Sequence, residues 1–445
     1  MNKFTAKFFN PSGSWLVPLL GFILAFGLSG ILAAFFPNST RLELNVWFGA
    51  DIARVISQMT NPNALGRANV HPLFGLVIFP VASPLYFFAR LAGLDKSLAM
   101  GIASQLVTSL SAGITWLLMY GISINLGLKK VQAFILGLLF LSSSTFMFWW
   151  STPESFPIGS PTILFPFFLL SFRINTCKLW FLSLVASASI TITNFTAGLA
   201  ASCAQFGFRK PLIGLSGIAL VVVGMLSIVQ KSYMHSASLP FQIKGEKAFI
   251  SFDNPPAENF YQFFVASIVP ISPPILVRSG ANFNRKKSSP LDKISKELQQ
   301  LHFEIPRLRK VYLLHSLAGI AWVLLLLNGV RTALQKGDKT CIALMAFVIF
   351  QFCLHFVYGD SPFLYSAHYA PALILIAGYG LAREVSKTHR MLLNLFALVL
   401  VGVLFSCNIT MLNRSFEIGE SYMAERCARI AQVSKFRKKA CSFQA

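Results

Sequence analysis

The sequence predicts an all-α polytopic membrane protein, and three observations support this prediction. The chain has 445 residues, of which 55 % are hydrophobic and only 12 % are charged, a balance that is not typical of a soluble globular protein. Several apolar runs reach the ~20 residues needed to cross a hydrocarbon core. A spanning segment must satisfy its backbone hydrogen bonds internally, and the alternating pattern of a membrane barrel is missing, so the spans are expected to be helices.

Eight apolar segments predict strong spanning helices. They are Trp15–Phe36, Ser97–Leu126, Val131–Trp150, Leu212–Val229, Val311–Val330, Cys341–Val357, His368–Ala382 and Met391–Met411. Thr162–Phe172 is a weaker span, and Leu179–Phe206 is interrupted by TITN at Thr191–Asn194, which suggests two short helices. Leu73–Leu94 contains Pro80 and Pro84, which can kink or break a helix. The segment is therefore predicted to form either a kinked or re-entrant pair of helices or one straight helix. The expected total is about 11 transmembrane helices.

The charge pattern predicts an orientation. The net charge is +22, and the basic residues lie mostly between the spans, where they orient the helices and meet anionic lipids. Membrane lipids rather than nucleic acid are therefore the expected partners. With the N-terminus in the cytoplasm, the Pro-split segment treated as a membrane-surface pair that stays outside, and the TITN segment counted as two short helices, the basic loops fall on the cytoplasmic side. These loops are Lys129–Lys130, Arg173–Lys178, Arg209–Lys210, Arg331–Lys339 and Arg383–Arg390.

The spans divide the chain into four parts. Residues 1–230 form an N-terminal transmembrane module with a first exported loop at 37–72. Residues 231–310 form an exported soluble loop or subdomain, because loops of this length usually have a function of their own or are disordered. Residues 311–411 form the C-terminal transmembrane helices, and 412–445 form a basic tail. The seven cysteines contain no CxxC pair and indicate neither a disulfide framework nor a metal site.

The first exported loop carries an acidic residue, Asp51, in front of an amphipathic segment. Its apolar residues recur at helical spacing, which predicts a helix lying on the membrane surface. Those residues are Ile52, Val55, Ile56 and Met59. Asp51, Arg54 and Gln58 would share the wet face. Asp51 then either forms a weak surface pair with Arg54, worth ~0–1 kcal/mol, or is a carboxylate at a cavity mouth that accepts a proton from an attacking hydroxyl or amine.

Two further segments place polar groups at membrane depth. Arg67 and His71, in RANVHP, could bind a lipid phosphate, since a guanidinium binds two phosphate oxygens at once, although a headgroup-level histidine without a role is the alternative. Glu154 follows Trp149 and Trp150 in STPESFP. A carboxylate at that depth is costly unless it faces a polar cavity.

The remaining candidates lie in TITN and in the short loop YGDSPFLYSAHYAP. These side chains could bind sugar hydroxyls or phosphate, and an aromatic belt at the membrane interface is the competing explanation. They are Asn194, Asp360, Tyr365, His368 and Tyr369.

The order of these motifs resembles the integral-membrane glycosyltransferases of the GT-C class, which include protein O-mannosyltransferases and aminoarabinose transferases. The similarity lies in one first helix, an exported loop with Asp51, an HPL segment at His71–Leu73, a long helix ending at LKK (128–130), and an exported loop with Glu154. Uncharacterised bacterial members carry similar PES, TITN and FLYS sequences, found here at Pro153–Ser155, Thr191–Asn194 and Phe363–Ser366. The resemblance covers roughly residues 15–410.

This resemblance implies a GT-C-like bundle in a bacterial inner membrane, with the active site on the exported side. A polyprenyl-phosphate sugar donor would enter from the bilayer, and Asp51 would assist the acceptor's attack. Glu154 would position the acceptor or bind a metal, although the sequence requires no metal or other cofactor. Arg67 or His71 would pair with the lipid phosphate.

The chain departs from the family at two points. Ala50 and Ile52 flank Asp51 where many relatives have a second acidic residue, and Val70 and Pro72 replace a basic residue before a double proline. An inactive scaffold is therefore one alternative function. A transporter or flippase for a lipid-linked glycan is the other, although the sequence shows no internal repeat of the kind transporters carry.

Overall fold

The computed structural model describes residues 15–35, 52–64, 68, 70–240, 250, 256–270, 306–359, 361–382 and 387–433, with the backbone alone at 306–312, 387, 389 and 418–433. These residues form an all-α protein and contain no strand beyond one isolated bridge between Ile250 and Tyr358. The predicted fold class is confirmed at this level.

Fifteen α-helices follow one another along the described chain. They are α1 (Leu16–Phe35), α2 (Ile52–Thr60), α3 (Phe74–Leu91), α4 (Lys96–Asn125), α5 (Lys130–Ser142), α6 (Ser144–Trp149), α7 (Ser155–Ser171), α8 (Cys177–Ile190), α9 (Phe195–Phe206), α10 (Lys210–Tyr233), α11 (Pro256–Tyr261), α12 (Pro306–Lys336), α13 (Lys339–Val357), α14 (Ser366–Tyr379) and α15 (Lys387–Val433). Seven of them contain a stretch long and apolar enough to cross a membrane, namely α1, α3, α4, α10, α12, α13 and α15.

The long second apolar segment is broken where the sequence predicts a break. Helix α8 ends at Ile190, a 3₁₀ turn covers Ile192–Asn194, and α9 begins at Phe195. The Pro-split segment is one helix, α3, with Pro80 and Pro84 in its interior, and not the membrane-surface pair on which the predicted orientation was based.

The predicted span Val131–Trp150 is wrong, because the helix breaks at Ser143. This residue has an extended conformation, and its hydroxyl accepts a hydrogen bond from the N–H of Phe146 at 3.2 Å. Serine is a strong N-cap, so the segment forms two helices, α5 and α6, instead of one.

Helices α1 and α4 pack antiparallel, with the ring of Trp116 between them; we call this contact the tryptophan wedge. Gly21 of α1 lies against the ring of Trp116, and Ser29, further along α1, bonds to Ser109, earlier in α4, at 2.9 Å. Gly137 of α5 lies against the same ring. Because glycine has no side chain, three helices approach one buried indole.

The basic loops gather at one end of the bundle. Gln132, at the start of α5, donates to the carbonyl of Leu381, just beyond α14, at 2.9 Å. Asn125, at the end of α4, donates to Ser171, at the end of α7, at 3.5 Å, and Gln205 of α9 bonds to Asn175 before α8 at 2.5 Å. We call this the basic end. It includes the predicted basic loops Lys129–Lys130, Arg173–Lys178 and Arg209–Lys210, whereas residues 383–386 of the last predicted basic loop lie outside the described residues.

Part of the long loop at 231–310 packs against the helices. Ser144 and Thr145, at the start of α6, donate their N–H groups to the carbonyls of Ile268 and Ser267 at 3.0 and 3.1 Å. The ring of Phe263 is buried and stacks on Tyr369, with 3.7 Å between centroids. Residues 256–270 are therefore part of the bundle, and a soluble subdomain elsewhere in the loop stays a prediction.

Candidate functional site

Eight of the described α-helices are too short to cross a bilayer, and we consider the five longest of these. Helices α5, α7, α8, α9 and α14 have 12 to 17 residues, or about 18–26 Å at 1.5 Å per residue, against a hydrocarbon core of ~30 Å. Each has one terminus at the basic end. The opposite termini of α7, α8, α9 and α14 lie close together inside the bundle, and polar residues gather there.

We call this level the polar layer and define it by four residues. They are His71, Glu154, Asn194 and His368. All four are buried, although they come from parts of the chain up to 300 residues apart. The layer brings together four of the candidates that the sequence predicts.

Glu154 is the N-cap of α7. Its carboxylate Oε2 accepts a hydrogen bond from the N–H of Ser155 at 3.1 Å, and the side chain is 2 % exposed. A negative charge is stabilised at a helix N-terminus, where the first N–H groups have no intrahelical partner. The turn therefore offers part of the solvation that a buried carboxylate needs.

Asn194 and His368 meet at Gly159, on the second turn of α7. A Cβ at position 159 would lie 3.1 Å from Nε2 of His368 and 3.3 Å from Nδ2 of Asn194. Asn194 ends the 3₁₀ turn of TITN, and His368 lies in the first turn of α14. The missing side chain at Gly159 thus allows two other helix ends to approach α7.

Several buried polar atoms of this region have no hydrogen-bond partner among the described residues. Both amide atoms of Asn194 and Nε2 of His368 are in this group. Three hydroxyls nearby in the sequence share this property, those of Thr152, Ser155 and Ser366. Buried polar groups in proteins are nearly always paired, so this concentration marks a site rather than a packed core.

An aromatic wall borders the polar layer. The ring of Phe156 makes edge contacts with His368 at 5.4 Å and with Tyr365 at 5.1 Å between centroids. Tyr365 stacks on His355 of α13 at 4.0 Å. The predicted residue Tyr365 is therefore a neighbour of the layer.

His355 and Gln351 belong to this region and were not predicted from the sequence. Nε2 of His355 lies 3.1 Å from Oε1 of Gln351, and both side chains are buried. The ring of His355 stacks on Tyr365, which contacts Phe156 beside His368. A glutamine and a histidine four residues apart within the apolar span of α13 are the signal that could have identified them.

Hydrogen bonds of His71 and its neighbours connect the first loop to the end of α8. Its Nδ1 lies 2.7 Å from the carbonyl of Ile190 and 3.3 Å from the hydroxyl of Thr191. The N–H of Leu73 donates to the carbonyl of Ser189 at 2.9 Å, and Ile192 donates to Val70 at 3.1 Å. An imidazole proton on Nδ1 would satisfy the Ile190 carbonyl and leave Nε2 as an acceptor.

Helix α2 packs on protein, which corrects the prediction of a helix on the membrane surface. Its apolar residues Val55 and Met59 are buried in one cluster with Ile158 of α7 and Ile190 of α8. Gln58, predicted to be on the wet face, is 3 % exposed and accepts from Arg54 at 2.9 Å. The helical spacing was predicted correctly, but the apolar face is covered by other helices rather than by lipid.

The remaining candidates divide into two groups. Tyr369 is buried with its ring against Phe263, and its hydroxyl donates to the carbonyl of Pro362 at 2.9 Å, so its polar group is already paired within the protein. Asp51, Arg67 and Asp360 lie outside the described residues.

The described residues contain no group of three or more His, Cys, Asp or Glu side chains that could hold a metal ion. The arrangement instead offers one capped carboxylate, neutral hydrogen-bonding groups and an aromatic wall. Such a set can bind a polyhydroxylated ligand and position an acidic group beside it. Comparison of this chain with models of known families, with characterised proteins and with solved structures finds no match.

Proposed function

We propose that this protein is a membrane glycosyltransferase that moves a sugar from a polyprenyl-phosphate donor to an acceptor on the exported face of the membrane. The observation that supports this best is the polar layer. It joins Glu154, Asn194 and His368, three residues predicted from separate motifs, inside an apolar bundle. Polar groups at such depth are costly and are retained mainly for function.

The charge distribution supports the exported orientation. The basic loops lie at one end of the bundle, and the polar layer lies at the far ends of the short helices. Positive loops favour the cytoplasmic side, so the layer would open toward the exported half of a bacterial inner membrane. A donor with its prenyl chain in the bilayer would reach this depth laterally.

The proposed reaction displaces the lipid phosphate at the anomeric carbon. The acceptor oxygen bonds to this carbon while its proton passes to the Asp51 carboxylate, and the bond from carbon to phosphate oxygen breaks with its electrons on the phosphate. Arg67 would stabilise this charge, which is a large contribution in sites of this kind. Glu154, held by the α7 N-terminus, would position the acceptor.

A flippase for a lipid-linked glycan is the second candidate. The breaks at Ser143 and at Thr191–Asn194 favour it, because discontinuous helices build the substrate sites of many transporters. The two functions differ in whether a covalent bond is made, and a transfer assay separates them.

The test measures transfer of labelled sugar from a panel of polyprenyl-phosphate sugars in proteoliposomes. Wild type is compared with Asp51→Asn, Glu154→Gln and the control Glu258→Gln, which changes an exposed carboxylate of α11. General acid–base catalysis contributes roughly 10²–10⁴-fold, so we expect Asp51→Asn to lose at least about 100-fold and the control to equal wild type.

Two results would contradict the proposal. One is a wild-type protein that transfers none of the panel, and the other is full activity in both carboxylate variants. In either case, movement of a fluorescent lipid-linked glycan between leaflets in the same proteoliposomes would test the flippase.

A further inference from the structure

The geometry around Gly159 points to a subsite for the sugar itself: we propose that Asn194 and His368 bind one hydroxyl group of an uncharged sugar beside Gly159. This inference rests on the proposed function for the identity of the ligand as a sugar, whereas the two unpaired polar atoms that would bind it are a feature of the structure.

Two buried polar atoms from different helices face the same point. Nε2 of His368 and Nδ2 of Asn194 lie within 3.3 Å of the Cβ position at Gly159. Asn194 is completely buried, and His368 is 2 % exposed. Neither of these two atoms has a partner among the described residues. An unpaired buried polar group lowers the stability of the protein, and a ligand that pairs both groups removes this cost on binding.

A hydroxyl matches this pair whichever way the amide is oriented. A hydroxyl is both a donor and an acceptor, so it can accept from the Asn194 amide N–H and donate to an unprotonated His368 nitrogen. If the Asn194 oxygen faces the site instead, the hydroxyl donates to it and accepts from an imidazole N–H. An ammonium can only donate, and a carboxylate can only accept.

The surroundings favour an uncharged ligand at this point. The nearest unpaired groups in the sequence are hydroxyls, on Ser155 and Ser366, and they can extend a hydrogen-bond network along the ligand. A charged sugar substituent here would have to be desolvated, which is unfavourable unless a counter-charge is in contact. The described groups that face Gly159 are an amide and an imidazole, and neither carries a permanent charge.

The site is held rigidly, as selective hydrogen bonding requires. The edge of Phe156 supports the ring of His368, and Tyr365, which also contacts Phe156, is stacked on His355. The hydroxyl of Ser160, one residue after Gly159, donates to the carbonyl of Ala367, one residue before His368. This bond fixes α7 against the start of α14.

Glycine at position 159 sets the available space. A methyl group there would contact both polar atoms at distances tighter than ordinary van der Waals contact. Alanine would therefore displace the polar atoms of Asn194 and His368 without removing either side chain. This makes Gly159→Ala a steric test that leaves the polar groups intact.

The experiment measures the affinity of wild type and of each protein variant for a set of lipid probes that includes deoxy sugars. Probes are mannosyl-, glucosyl- and galactosyl-phosphoryl polyprenols, bare polyprenyl phosphate, and the monodeoxy analogues of whichever sugar binds wild type most tightly. Variants are Asn194→Ala, His368→Ala and Gly159→Ala, with Gly217→Ala as the matched control, since a Cβ there meets open space on α10. Thermal melting of each variant monitors folding.

We expect wild type to prefer at least one of the glycosylated lipids over the bare phosphate, and each of the three variants to reduce this preference about tenfold or more. One monodeoxy analogue should bind wild type about tenfold more weakly than its parent sugar lipid does. In Asn194→Ala this analogue and its parent should bind with the same affinity. Bare-lipid binding and the control should be unchanged.

Two results would overturn the subsite. In the first, every deoxy analogue loses as much affinity for Asn194→Ala as for wild type, and Gly159→Ala keeps the wild-type preference for glycosylated over bare lipid. In the second, wild type itself does not distinguish glycosylated from bare lipid. If one deoxy analogue binds wild type more weakly and shows no further loss in Asn194→Ala, but no sugar is transferred, the subsite stands and the glycosyltransferase proposal fails. If sugar is transferred and no deoxy analogue behaves in this way, the glycosyltransferase proposal stands and the subsite fails.

Discussion

Gly329 provides the sharpest test of the packing that positions the site. This residue of α12 lies directly against the backbone of α14, where a Cβ would overlap the carbonyl oxygen of Ile376 and lie 2.8 Å from Cα of Ala377. Helix α14 carries His368 and is buried at every residue. A Gly329→Ala substitution therefore introduces a methyl group between two helices that have no flexible side chain to move.

The size of the effect follows from the distances. Non-bonded carbons prefer ~3.5–4.0 Å, so the two helices must separate by about 1 Å. Overpacking of this kind costs ~1–3 kcal/mol, which outweighs the ~1 kcal/mol of helix propensity that alanine gains over glycine. We expect Gly329→Ala to melt at a lower temperature than wild type and, because α14 shifts, to bind glycosylated lipid more weakly.

The assay is thermal unfolding in lipid nanodiscs, followed by intrinsic fluorescence. The matched control is Gly224→Ala, because a Cβ at Gly224 on α10 meets no atom within 4 Å. This control should melt at or above the wild-type temperature. A Gly329→Ala protein as stable as the Gly224→Ala protein would refute the close approach of α12 and α14.

Three further predictions follow from single contacts. Trp116→Ala should lower the unfolding free energy by ~3–5 kcal/mol, because it empties a fully buried site, and wild-type melting would contradict the wedge. Asn408 donates to the carbonyls of Ser142 and Ile268, each at 2.7 Å, so Asn408→Ala should lower the unfolding free energy by ~1–3 kcal/mol. An unchanged melting temperature would argue against these two hydrogen bonds. Cys177 is exposed at the basic end, so a variant with this cysteine alone should react with a membrane-impermeant maleimide in inverted vesicles and not in intact spheroplasts. Labelling in spheroplasts would reverse the proposed orientation.

The polar layer shows where prediction from the sequence succeeded and where it failed. Glu154, Asn194 and His368 were identified because each is a polar residue in an apolar setting, which a sequence displays directly. Gln58 was assigned to water because helical spacing gives the faces of a helix but not what covers them. His355 is also a polar residue in an apolar span, but it was overlooked because the sequence does not show that the tertiary structure stacks its ring on Tyr365, next to the polar layer.

The sequence by itself determined that this protein is helical and membrane-embedded, because the length of an apolar run and the positions of lysine and arginine act locally on each span. It also determined the break at Thr191–Asn194. Only the tertiary structure decided that the ends of α7, α8, α9 and α14 lie close together, and that Gly159 allows Asn194 and His368 to approach α7. That arrangement depends on contacts between residues far apart in the chain, each fixed by close packing that no local pattern encodes.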